Sequence, residues 1–104
     1  MAVLTGKAAV VTGGSRGIGR AVVLRLARDG AAVVFNYARN REAANEVVRQ
    51  AEEAGGRVTG LQPDLAEPGA AEDLLATAER RLDGLDILVN NAAVHTDVVP
   101  TLVA

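Results

Sequence analysis

The sequence contains no cysteine and no tryptophan, and its aromatic residues are a single Phe and a single Tyr. Without cysteine there is neither a disulfide framework nor a thiolate metal site. With so little ring area to bury, the core must come from Val, Leu, Ile and Ala. Serine and lysine also occur only once, as Ser15 and Lys7, and Tyr37 is the sole tyrosine. No apolar run approaches the roughly 20 residues that cross a bilayer. The opening Met-Ala-Val-Leu-Thr-Gly-Lys turns polar too early for a secretory signal. A net charge of −2 leaves no basic face for nucleic acid. The expectation is a soluble, cytoplasmic protein that binds neither membrane nor nucleic acid.

What is present is a globular composition, 49% hydrophobic and 23% charged over 104 residues. That length supports one domain at most. The pattern alternates strand and helix with short connections. Strands are expected over Ala8–Thr12, Ala31–Asn36, Arg57–Leu61 and Asp86–Asn90. Ala8–Thr12 is a near-continuous apolar run, as in a sheet covered on both faces. A first helix, Ile18–Arg28, repeats Ile18, Val22 and Leu26 at four-residue spacing. A second, capped by Asn40, runs to about Ala54 and would bury Ala43, Ala44, Val47, Val48 and Ala51. A third starts at Pro68, a residue suited to a first turn, and would bury Ala71, Leu74, Leu75, Ala78 and Leu82. Alternation of this kind predicts an α/β fold with helices on a parallel sheet. Residues 1–92 form its body, and the apolar tail 93–104 shows no clear element.

The first strand runs directly into Thr12-Gly13-Gly14-Ser15-Arg16-Gly17-Ile18-Gly19. A glycine turn between a buried strand and a helix suits a diphosphate, because a helix start offers free N–H groups and a positive dipole end. Gly13 allows a sharp turn, while Gly17 and Gly19 keep side chains away from phosphate and strand. Ser15 and Arg16 add a hydroxyl and a cation. A second strand at the right distance makes the motif more than a bare connector. A mononucleotide phosphate loop is disfavoured, since Gly-Lys-Ser/Thr is absent.

Taken with Asn90-Asn91-Ala92 after the fourth strand, Thr12-Gly13-x-x-x-Gly17-x-Gly19 resembles the short-chain dehydrogenases/reductases. Asp64-Leu65 after the third strand matches that family's adenine-contacting position. Asn36-Tyr37-Ala38-Arg39-Asn40 is most similar to the branch of 3-oxoacyl-carrier-protein reductases. The resemblance covers nearly the whole chain but only the front part of that family's fold. It implies a Rossmann-type three-layer α/β/α arrangement with the four strands in order 3-2-1-4. It also implies a cofactor site made of Gly13, Ser15, Arg16, Gly17, Ile18, Gly19, Asn36, Tyr37, Ala38, Arg39, Asp64, Leu65, Asn90 and Ala92. Where the family reads Asn-Asn-Ala-Gly, this chain has Ala93, a mild departure.

Sites for NAD often carry an acid after the second strand, to hold the ribose 2′-hydroxyl. Here no acid appears until Glu42, and Asn36, Arg39 and Arg41 stand in that segment instead. Arginine is suited to bidentate phosphate contact. With Arg16, these residues favour NADP(H) over NAD(H).

The family's chemistry is hydride transfer between nicotinamide and a carbonyl or alcohol carbon, with a Tyr-x-x-x-Lys pair and a serine. A phenol with a pKa of about 10 needs nearby positive charge to act as a base at neutral pH. Tyr37 is followed four positions on by Arg41, so that pair is absent. Ser15 belongs to the glycine turn and Lys7 precedes the first strand. No catalytic residue is therefore assigned. His95, just past the fourth strand, reads as a loop histidine, and one His with scattered acids makes no metal site. Asp83, Asp86 and Asp97 read as helix-end, strand-start and loop residues.

Two functions follow. One is the cofactor-binding portion of an NADP(H)-dependent oxidoreductase, without turnover of its own. The other is a non-catalytic nucleotide-binding or self-associating scaffold. In the order 3-2-1-4 the fourth strand is an edge, and unpaired apolar strands template association. A homo-oligomer formed through that edge or through the tail is expected.

Overall fold

The computed structural model describes residues 3–13, 17–37, 40–62 and 69–90, together with the backbone of 102 and 103. The elements are β1 (Ala8–Thr12), α1 (Gly17–Arg28), β2 (Ala32–Asn36), α2 (Arg41–Glu53), β3 (Arg57–Leu61), α3 (Ala70–Leu82), β4 (Ile87–Asn90) and β5 (Leu102–Val103). The sheet order is β3-β2-β1-β4-β5. The first four strands are parallel, in the expected order 3-2-1-4.

Side-chain alternation along the strands separates two apolar layers. Ala9 and Val11 of β1, with Val33 and Phe35 of β2, pack under α1 and α2 against Val23, Ala27, Ala44, Val47 and Ala51. Val10 and Val34 face the other way, onto Leu74 and Ala78 of α3. All five residues of β1 are buried. Burying one such Val contributes about 1.5–3 kcal/mol.

The inner face of α1 differs from the expected Ile18–Val22–Leu26 line. The buried stripe is Gly19, Val23 and Ala27, one residue further on. Val22 and Leu26 are half-buried, and Ile18 is 75% exposed. The smaller side chains take the line of closest approach, which lets the helix lie near the sheet with larger residues on the flank. The expected inner face of α2 stands, with Ala43 and Val48 half-buried at its margin. Helix α3 starts at Ala70, with Gly69 as its N-cap. Pro68 lies outside the described residues. Ala70 is buried where Ala71 was expected, and Ala71 is exposed. At its other end Asp83 takes the left-handed cap conformation, φ 57°.

The tail corrects a second expectation. Leu102–Val103 pairs antiparallel with β4, Val103 opposite Leu88 and Leu102 opposite Val89. Strand β4 is therefore not a bare edge, and the tail is not without an element. A strand of two residues is too short to show a period, so only its partner reveals it.

Candidate functional site

The carboxyl ends of β1, β2 and β4 meet at the glycine turn. Thr12 closes β1, is buried, and its hydroxyl donates to Asn90 Oδ1 at 3.1 Å. Asn36 closes β2, is 4% exposed, and its Oδ1 accepts the Gly13 N–H at 2.6 Å. Two side-chain bonds thus tie the ends of three neighbouring strands at the point where the chain leaves β1. At the opposite end of the sheet, Asp86 Oδ2 accepts from the Ala8 N–H at 2.8 Å, fixing β4 to β1 there.

Gly13 and Gly17 both have positive φ, 71° and 58°, a region that costs other residues strain. A side chain at Gly17 would meet no described atom within 4 Å. The space beside the Gly17 Cα is therefore free of described protein atoms. No acid lies in the first turn of α1. The amino-terminal end of that helix keeps its positive dipole character and opens beside the strand ends. Gly19 heads the buried stripe, so the first turn of α1 lies close to the sheet. Neutral donors, a positive helix end and open space form a set that fits a diphosphate.

The other expected site residues divide into two groups. Tyr37 is buried at the end of β2, its ring centroid 6.4 Å from that of Phe35. Its N–H bonds to the Leu61 carbonyl. Ile18 projects from the start of α1. Arg41 Nη2 reaches Gln62 Oε1 at 3.2 Å, tying the start of α2 to the end of β3. Ser15, Arg16, Ala38, Arg39, Asp64, Leu65 and Ala92 lie outside the described residues, as do Asn91, Ala93, His95 and Asp97. The site list from the sequence omits Thr12, although a polar residue ending a buried strand was the signal for it.

Among the described residues the resolved electrostatic perturbations lie elsewhere. Arg49 bonds Glu46 and Glu53 on the solvent side of α2. Its hydrogen bond holds the Glu46 carboxyl below the usual 4.5, and Glu46 in turn raises the Arg49 guanidinium. A hollow of about 350 Å³ also lies away from the turn, lined by Ala32, Glu52, Gly56, Arg57 and Arg81 among others. It opens at the amino ends of β2 and β3. Open parallel sheets bind ligands beyond their carboxyl ends, so the glycine turn is the stronger candidate.

A family model described as short chain dehydrogenase matches residues 7–102. The chain belongs to the short-chain dehydrogenase family. It is 45% identical over 95 residues to an uncharacterized oxidoreductase of Methylorubrum extorquens, covering 91% of this chain and 38% of that protein. It is 39% identical over 99 residues to a 3-oxoacyl-[acyl-carrier-protein] reductase of Synechocystis, covering 95% of this chain and 40% of that one. Among solved structures, a short-chain dehydrogenase from Burkholderia cenocepacia in complex with NADP superposes with a TM-score of 0.84. There the identity is 46%, over 90% of this chain and 38% of the other. The chain thus spans about two fifths of the length of these relatives. Among the described residues no helix is long and apolar enough to cross a membrane.

Proposed function

We propose that this chain is the cofactor-holding portion of an NADP(H)-dependent short-chain oxidoreductase. The observation that carries the reading is the pair of positive-φ glycines, Gly13 and Gly17, leading into α1 beside the tied ends of β1, β2 and β4. The NADP held by the Burkholderia relative supports it.

Gly13, Ser15, Arg16, Gly17 and Gly19 would hold the diphosphate, and Ile18 would lie against the cofactor's apolar parts. Tyr37, Ala38 and Arg39 would face the adenosine end, with Asp64 and Leu65 at the adenine. Asn90 and Ala92 would line the nicotinamide side. Asn36 would act on the diphosphate through the turn it supports. The preference for a 2′-phosphate rests on Arg16 and Arg39 and on the absence of an acid before Glu42. When bound, the dinucleotide supplies or accepts a hydride. This chain's residues bind and orient it.

No acid–base role falls to this chain. Tyr37 packs against Phe35 and has Arg41, not lysine, four positions on. We expect no turnover from these 104 residues alone.

Isothermal titration tests the reading. The chain should bind NADPH more tightly than NADH, and Gly19→Val should abolish both, since a branched side chain would push the first turn of α1 off the sheet. Equal affinities would remove the NADP(H) preference. A variant that binds as tightly as the parent would show the site to be misplaced.

A second reading, self-association as a scaffold, has its own observation. Ile87, Leu88 and Val89 of β4 are only half-buried.

A further inference from the structure

We infer that Asn36 is a positioning residue for the glycine turn, not a direct contact for the dinucleotide. The inference rests on the cofactor reading above and changes the role of one residue within it. Asn36 is 4% exposed, so its side chain is turned into the protein. Its Oδ1 receives the Gly13 N–H at 2.6 Å, across 23 positions of sequence and from a different strand. Gly13 is the first residue after β1 and has φ 71°. The peptide fixed by Asn36 is thus the one that sets the direction in which the turn departs.

The choice of side chain has a physical logic. An N–H requires an oxygen acceptor, and Asn, Asp or a longer amide could supply one at the end of β2. A buried carboxylate there would carry desolvation cost and place negative charge beside a diphosphate. A longer amide would not fit the short span between adjacent strands. Asparagine gives a neutral acceptor of the right length. Catalytic and binding geometry depends on such supports, because a displacement of about 1 Å costs as much as 10²-fold in function.

The two roles predict different selectivity. A residue touching the 2′-phosphate affects NADPH alone. A residue that shapes the turn affects NADPH and NADH by the same factor, because both share the diphosphate. We therefore expect Asn36→Ala to weaken NADPH and NADH about ten-fold each, leaving their ratio unchanged. Hydrogen exchange of the Gly13 amide, followed by NMR in the ligand-free chain, reads the tether directly. Exchange should be at least ten-fold slower in the parent chain than in Asn36→Ala. The near-isosteric Asn36→Asp retains an acceptor and should keep Gly13 slow, which covers the case of an Ala variant that does not fold. Loss of NADPH affinity alone, unchanged affinity for both, or rapid Gly13 exchange in the parent would each overturn the inference. A parent chain that binds neither dinucleotide would instead overturn the cofactor reading on which it rests, a result distinct from any failure confined to the variants.

Discussion

Gly60 lies opposite Phe35 in the β2–β3 ladder. A Cβ there would sit 3.0 Å from Phe35 Cζ and 3.4 Å from Tyr37 Cε1. Phe35 is fully buried, so its ring has no room to withdraw. Gly60→Val should therefore destabilise the fold by about 1–3 kcal/mol, despite the strand preference of valine. An unchanged urea midpoint would contradict this. From the sequence Gly60 is a flaw in the third strand. In the fold it is the space that the only Phe and the only Tyr occupy. Asn36 shows the same limit of reading along a chain. Its place after the second strand is legible, but its partner, Gly13, is set by which strands become neighbours.

At the scale of elements, Asn40 caps α2 by accepting the Ala43 N–H at 2.9 Å. Asn40→Ala should cost about 1 kcal/mol, measured by thermal or chemical melting. The ion pairs of Arg49 with Glu46 and Glu53 are another matter. They are exposed, so solvent screens them and they add little. Because the Glu46 carboxyl is lowered in the folded state, its small contribution is present above the ordinary carboxylate value and fades as pH falls through the lowered one. Element positions were legible from apolar runs and caps, and β1 and β3 keep their expected bounds. The face of α1 was not. Counting large apolar residues selects Ile18, whereas packing selects the small residues that let the helix approach. Strand β5 was hidden because two residues carry no periodicity and their pairing depends on β4.

For the molecule as a whole, the parallel order 3-2-1-4 places the tied carboxyl ends of β1, β2 and β4 on one side, where the glycine turn lies. With β5 bonded to β4, self-association would engage the half-buried side chains of Ile87–Val89, not open backbone at Leu88 and Val89. Analytical ultracentrifugation at high micromolar concentration should show an oligomer. A monomer there would count against the scaffold reading. The reversal at β5 also carries a practical consequence. Because it runs against β4, the polypeptide is heading away from the turn as it passes Val103. A handle placed on this returning segment would thus point away from the glycine turn, and holding the protein by it would leave that turn facing bulk solution.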